Sequence, residues 1–113
     1  MERLYKGVVI ITIDETLARQ VCDELHIDQT DEEVTTITSL LYGSQATIDD
    51  SIELAAYPDI VDNPLYTRAI ITLCQALYYD RNLATGQPKA VIMMVDHLNA
   101  ICLTEGGKLD GSK

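Results

Sequence analysis

Cys22 and His26 are the first residues whose types and spacing fit a chemical role, that of metal ligands. They are four residues apart, so on a helix both side chains lie on the same face. A zinc site needs three or four ligands, and the other available His and Cys residues are Cys74, His97 and Cys102. We favour the simpler interpretation, a buried thiol and a histidine at a helix end, and expect no metal site.

Two runs of carboxylates, Asp31–Glu33 and Asp49–Asp50, have the residue types needed for acid–base catalysis or for metal binding. Adjacent residues on a helix point in different directions, so their carboxylates do not converge on one atom. Carboxylates also stabilise the N-terminus of a helix, where the helix dipole is positive. These runs therefore indicate helix capping and a solvated face.

The remaining chemical signals are short and lack their structural context. Tyr78-Tyr79 has the rings of a base-stacking platform, but the surrounding acidity favours a core or interface role. Gly106-Gly107-Lys108 lacks the preceding strand that a phosphate-binding loop requires. The common catalytic and nucleotide-binding motifs are absent from the sequence. We therefore expect a protein that is not an enzyme, with no catalytic residues and no cofactor.

The chain is strongly and unevenly acidic. It carries 18 Asp and Glu against 8 Lys and Arg, for a formal net charge of -10, and has no basic residue between Arg19 and Arg68. Such a chain does not bind nucleic acid by neutralising phosphates. Its 113 residues fit one domain, and 47% of them are hydrophobic, which indicates a folded protein.

The cysteine pattern indicates a reducing compartment. Cys22, Cys74 and Cys102 are odd in number, widely spaced and surrounded by apolar residues, as expected for buried thiols. The apolar run before Asp14 is too short for a signal-peptide core or a membrane span. We expect a cytoplasmic protein with no membrane contact.

The apolar periodicity predicts an all-α domain over residues 1–105, followed by a flexible tail over 106–113. Gly7–Ile13 is rich in β-branched residues and predicts a short extended N-terminal segment. Thr30 and Glu33 have the spacing of a capping box at the start of one long helix. The four predicted helices run from about Asp14 to Leu25, Thr30 to Ala55, Pro64 to Asn82 and Pro88 to Leu103.

The third and fourth predicted helices are apolar around most of their circumference, more than one small core requires. Apolar surface left over after folding usually marks a protein interface. Our candidates for a subunit interface are Val8, Val9, Ile10, Ile11, Tyr66, Ile70, Tyr78, Tyr79, Met93 and Met94.

The order of several short motifs is distinctive. Leu25-His26-Ile27-Asp28 precedes the acidic run Gln29–Glu33, and Pro64 begins an apolar helix. That helix closes with Ala76–Asn82, and a turn leads to Pro88–Met94. Over about residues 14 to 103 this order resembles the head–tail connector (adaptor) proteins of long-tailed double-stranded DNA phages, often described as phage DNA-packaging proteins.

The resemblance implies a structural virion protein at the capsid–tail junction, made in the cytoplasm of the host bacterium. It implies a homo-oligomeric ring of about a dozen chains under the portal protein, which contacts the next connector or tail-completion protein. DNA passes through such a ring without specific binding. Our hypothesis is that acidic residues line the channel and repel the duplex, the candidates being Asp31, Glu32, Asp49, Asp50 and Glu53.

Two other functions fit the sequence. The first is an acidic helical regulatory or adaptor protein of a bacterium or prophage, such as a DNA mimic, that binds a basic partner as a monomer or dimer. The second is a small metal-dependent enzyme that uses Cys22, His26 and carboxylates. Solution mass distinguishes the ring from the regulator, and stoichiometric zinc or iron would support the enzyme.

Overall fold

The computed structural model describes residues 4–5, 8–9, 13–84 and 86–109. In these ranges the fold is all-α, as the sequence predicts. Its helices are α1 (Glu15–Leu25), α2 (Asp31–Ser51), α3 (Pro64–Tyr79) and α4 (Lys89–Leu109). Two short 3-10 helices lie between α2 and α3, at Leu54–Ala56 and Pro58–Asp62.

Side chains at the helix starts explain why three of these helices begin where they do. Asp14 precedes α1 and accepts the backbone N–H of Leu17 at 3.0 Å. Thr30 accepts the N–H of Glu33 at 3.1 Å, which confirms the predicted start of the long helix. Asn63 precedes Pro64 and accepts the N–H of Leu65 at 2.8 Å. Each cap satisfies a donor that the first helical turn leaves without a partner.

Helices α2 and α3 pack antiparallel and form the centre of the domain. Tyr78 contacts Glu33 at one end of the pair, and Tyr66 contacts Gln45 near the other. Between these contacts lies the core. Its members are mostly aliphatic and include Ile37, Leu41, Ile48, Ala69, Ile70, Ile71, Leu73 and Cys74, together with Val21 of α1 and Val91 and Leu98 of α4.

The long helix ends four residues earlier than the sequence predicts. We expected it to continue to about Ala55, but α2 ends at Ser51 and Ile52 adopts an extended backbone. The N–H of Glu53 then donates to the side-chain oxygen of Asn99 on α4, at 2.9 Å. This tertiary contact replaces an intrahelical hydrogen bond, and periodicity along one segment does not reveal such a contact.

The ends of the last two helices also differ from prediction. Helix α3 ends at Tyr79 rather than Asn82, because Asp80 folds the chain into a turn by accepting the N–H groups of Asn82 and Ala84. Helix α4 continues past the predicted end at Leu103 and reaches Leu109. The predicted boundary between domain and tail therefore falls inside α4, and residues 110–113 lie outside the described residues.

The predicted extended N-terminal segment is described at Val8–Val9 alone, together with Ile13 at its end. The strand β2 (Val8–Val9) pairs antiparallel with β1 (Leu4–Tyr5). Ile10 and Ile11, two of the interface candidates, lie outside the described residues. Ile13 is buried at the edge of the helical core.

Two helical glycines have opposite surroundings, and this allows a matched test of the fold. A Cβ at Gly43 meets nothing within 4 Å, whereas a Cβ at Gly106 meets the carbonyl oxygen of Ala56 at 2.8 Å. Gly43→Ala is expected to raise the free energy of unfolding by about 0.5–1 kcal/mol, because alanine restricts the unfolded chain and favours the helix.

Gly106→Ala, in contrast, is expected to lower the free energy of unfolding, because α4 must move away from the 3-10 helix at Leu54–Ala56. Urea denaturation of both variants and the wild type measures the difference. Equal stabilisation by the two substitutions would contradict the close packing at Gly106.

Candidate functional site

The described residues leave one side of α4 uncovered, and we call it the outer face. Val91, Leu98 and Cys102 bury the opposite side against the core. The outer face comprises Lys89, Ile92, Met93, Asp96, Ala100 and Leu103, which share one side at helical spacing. Among them Met93 is 64% exposed and Leu103 is 59% exposed.

A cluster of aromatic rings and one cation lies at the end of α3. The Tyr78 and Tyr79 rings meet edge to face with centroids 5.3 Å apart, and the Arg81 guanidinium lies 5.8 Å from the Tyr78 ring centre. The Tyr78 hydroxyl donates to Glu33 at 3.1 Å. Tyr79 is 71% exposed. Aromatic and arginine side chains are the residues that most often anchor protein interfaces.

The structure divides the interface candidates into three groups. Tyr66 and Ile70 were wrong as interface candidates, because both are fully buried in the core of one chain. Tyr79 and Met93 are exposed, whereas Tyr78 and Met94 are half-buried. For Val8 and Val9 the structure describes the backbone alone. The apolar surface available to a partner is therefore smaller than predicted and is concentrated on α4 and the end of α3.

Four of the five channel-lining candidates are exposed, and they lie at opposite ends of α2. Asp31 and Glu32 occupy its first turn, while Asp50 and Glu53 lie at its far end, about 27 Å away at 1.5 Å per residue. The exposed side between them carries no charge, its residues being Thr35, Ser39, Tyr42, Gly43 and Ala46. These acids therefore form two separate groups.

Asp49, the fifth candidate, has a structural contact. It is half-buried and accepts the hydroxyl of the buried Tyr66 at 2.6 Å. Gln45 donates to the same hydroxyl at 3.5 Å. Asp49 therefore differs from the exposed candidates, because its carboxylate connects α2 to α3.

An acidic hollow, which the sequence interpretation missed, lies where the connection before α3 meets the end of α4. Its volume is about 430 Å³. Tyr57, Ile60 and Ile101 provide its apolar lining, and Asp62 and Glu105 are among its acidic residues. The acidity of the 57–63 connection was the available signal, but nothing local indicated that α4 would reach it.

A second depression, of about 510 Å³, lies beside α2 near the start of α1. Its lining is mostly uncharged, with Val34, Thr38 and Tyr42 on α2 and Glu15 on α1. The Tyr42 hydroxyl donates to the carbonyl of Ile13 at 3.1 Å. This hydrogen bond therefore holds the segment that precedes α1 against α2.

The cysteines are free and buried, as the sequence predicts. Burial raises the pKa of Cys74 to about 12, and it also raises the pKa values of Cys22 and Cys102. His26 is exposed at the end of α1 with a left-handed backbone (φ 60°), whereas Cys22 points into the core. Within the described part of the chain, no group of three or more His, Cys, Asp or Glu side chains is placed to hold a metal ion.

Glu24 joins α1 to α3 through two neighbours. It accepts hydrogen bonds from Arg68 at 3.1 Å and from Gln75 at 2.8 Å. The hydrogen bond from Arg68 is the main reason that the pKa of Glu24 lies below its usual value. The contribution to stability is modest, because the Arg68 side chain is nearly half exposed.

Comparison with protein-family models, with curated proteins and with solved structures found no match to this chain. Across the described ranges, none of the helices is long and apolar enough to cross a membrane.

Replacing Glu24 gives a pH-dependent loss of stability. Because the folded-state pKa of Glu24 is lowered, its contribution is present above the unfolded pKa and disappears as the pH falls through the folded pKa. Glu24→Gln is expected to cost at most about 1 kcal/mol at pH 7, after allowing for solvent screening, and progressively less below pH of about 4.

Thermal unfolding of wild type and Glu24→Gln between pH 3 and 7, a range of about four units around the carboxyl pKa, measures this difference. Glu15→Gln provides the control, because Glu15 pairs with Arg19 within one exposed helix and joins no second element. A difference between wild type and Glu24→Gln that stays constant over the whole range would contradict the ion pair's role.

Proposed function

We propose that this chain is the subunit of a structural ring, the head–tail connector of a long-tailed DNA phage. The observation that carries the proposal is the outer face of α4, where Ile92, Met93 and Leu103 remain exposed after the chain has folded. The order of motifs along residues 14 to 103, which resembles that family, supports the same function.

The exposed apolar side chains would contribute favourably to self-association. Fully burying one large aliphatic side chain contributes about 1.5–3 kcal/mol. Four large side chains are each at least 45% exposed, namely Ile92, Met93, Leu103 and Tyr79. An interface that covers them gains part of this free energy from each side chain. Association also costs translational and rotational entropy, which a closed ring offsets because each copy makes two contacts.

The distribution of charge fits a ring through which DNA passes. Asp31 and Glu32 at one end of α2, and Asp50 and Glu53 at the other, are exposed. If both groups face a channel, they repel the phosphate backbone at two levels and leave an uncharged wall between. A duplex then moves through without adhering, since α2 has no basic side chain that could neutralise its phosphates.

The acidic regulatory or adaptor protein, such as a DNA mimic, remains the second candidate, because exposed carboxylates at both ends of α2 also suit a basic partner. Such a protein needs no contact between copies along α4. Solution mass separates the two functions, since a dimer supports the regulator and a large cyclic oligomer supports the connector.

The first test measures assembly. We expect the wild-type chain to form rings of about a dozen copies, alone at high concentration or on a portal, visible by native mass measurement and electron microscopy. Ile92→Ser combined with Leu103→Ser is expected to weaken assembly by about tenfold or more, because both side chains leave the interface.

Ala46→Ser combined with Thr47→Ser is the control for this test, because both residues are exposed on α2, away from the outer face of α4. It is expected to assemble like the wild type. A chain that stays monomeric or dimeric both alone and with a portal would overturn the proposed ring.

The second test concerns the channel. Replacing Glu32, Asp50 and Glu53 by their amides removes three exposed charges while leaving Asp49 to hold Tyr66. Ring assembly is expected to stay unchanged, and DNA is expected to leave particles built with the variant more slowly, because the weakened repulsion lets phosphates approach the wall.

In a matched control, Glu15, Asp23 and Asp28 are replaced by their amides. This removes the same amount of charge from α1 and the loop after it. Release of DNA from particles is followed over time for both variants. Equal release rates in the wild type and the α2 variant would count against an acidic channel wall formed by α2.

A further inference from the structure

Two surfaces of one chain have complementary chemistry and do not overlap. The first, which we call the basic end, comprises Tyr79 at the end of α3, Arg81 in the connection at residues 80–88, and Lys89 and Met93 at the start of α4. The second is the acidic hollow near the far end of α4. We propose that the basic end of one copy docks in the acidic hollow of the next; this contact rests on the proposed ring and names the surfaces that build it.

The basic end carries two of the eight Lys and Arg residues of this acidic chain. Residues 81–95 contain two basic residues, Arg81 and Lys89, and no acidic residue. The carboxylate of neighbouring Asp80 is engaged by the N–H groups of Asn82 and Ala84. The N-terminus of α4 adds the positive end of a helix dipole to the same region.

Neither cation at the basic end has a carboxylate partner among the described residues. The ion pairs among the described residues lie elsewhere, between Arg19 and Glu15 and between Arg68 and Glu24. Arg81 instead lies over the ring of Tyr78. No described carboxylate therefore pairs with Arg81, and a carboxylate of another copy can approach it.

The apolar part of the basic end fits a concave partner. Tyr79 and Met93 are 71% and 64% exposed, and methionine is a flexible side chain that adapts to irregular cavities. Tyr, Met and Arg are also the residue types enriched at the centres of protein interfaces.

The acidic hollow supplies the complementary chemistry. Tyr57, Ile60 and Ile101 offer apolar contacts to an inserted side chain. Among the described side chains, the lining also contains Asp59, Asp62 and Glu105 and no basic residue. Asp62 is exposed, so its carboxylate is placed where an approaching arginine or lysine meets it.

The separation of the two surfaces allows a head-to-tail contact. Met93 and Glu105 are 12 residues apart on α4, which corresponds to about 18 Å along the helix axis. One copy can therefore use both surfaces at once, each with a different neighbour, as the proposed ring requires. Contacts of this heterologous kind close into a ring when the rotation between copies permits it.

Charge reversal tests this pairing directly. Arg81→Glu with Lys89→Glu makes the basic end acidic, and Asp62→Lys with Glu105→Lys makes the hollow basic. Each double variant alone presents like charges at every contact, so the concentration needed for half-assembly is expected to rise by about tenfold or more.

Mixing the two variants in equal amounts is expected to restore assembly, because every contact in an alternating ring again joins opposite charges. The chain that carries all four substitutions is expected to assemble alone for the same reason. Circular dichroism melting checks that each variant folds, and Asp62→Lys alone serves if the Glu105 substitution unfolds the end of α4.

A control for net charge adds four glutamates at exposed positions away from both surfaces, namely Thr16, Thr35, Ser39 and Ala46. It has the same formal charge as the Arg81→Glu, Lys89→Glu variant and is expected to assemble nearly like the wild type. Loss of assembly in this control equal to that in the variant would overturn the specific pairing.

The possible failures are distinguishable. If the wild type forms rings and both charge-reversal variants assemble normally alone, the proposed pairing is wrong and the ring stands. If both variants are defective and their mixture stays unassembled, the pairing is also wrong. If the wild type forms no ring alone or with a portal, the pairing and the proposed function fail together.

Discussion

The antiparallel packing of α2 against α3 is the constraint on which the rest of the structure depends. The pair is fastened at one end by the hydrogen bond from Tyr78 to Glu33 and at the other by that from Tyr66 to Asp49. Between them the Cys74 thiol lies 3.9 Å from the carbonyl of Ile37, in the middle of an aliphatic core. With both ends fixed, the two helices cannot slide along each other by a turn without losing a buried polar contact.

This central pair determines how much of the other helices can be covered. Helix α1 packs against both members, and Glu24 holds it to α3 through Arg68 and Gln75. Helix α4 has α3 and the short 3-10 helices on one side only, so nothing in the described part of the chain packs on its outer face. A domain of this size buries only about two-thirds of the surface of its unfolded chain. Exposure of Ile92 and Met93 is thus a result of topology, because none of the other described elements covers this side of α4.

Local signals in the sequence predicted the helix starts correctly, and tertiary contacts determined what the sequence could not predict. Thr30 and Asn63 cap helices through atoms within three residues, so their role is readable from the sequence. The end of α2 depends on Asn99, 46 residues from Glu53. The burial of Tyr66 depends on Asp49, 17 residues away, and no periodicity distinguishes it from the exposed Tyr79. The acidic hollow forms where the connection before α3 meets the last turns of α4. The sequence shows each of these acidic residues, but it does not show that the two segments come together.

The net charge of the chain bears on how copies can associate. Bringing together chains of charge -10 is opposed by long-range repulsion, which salt screens over about 10 Å at 0.1 M ionic strength. The repulsion energy is smaller when the two basic side chains of residues 81–95 face a neighbour's carboxylates. It remains large when acidic surfaces face each other. The acidity therefore selects among contacts that the apolar outer face of α4 alone would not distinguish, since hydrophobic attraction is non-directional. In such an arrangement the apolar side chains supply the affinity and the sparse positive charge supplies the geometry.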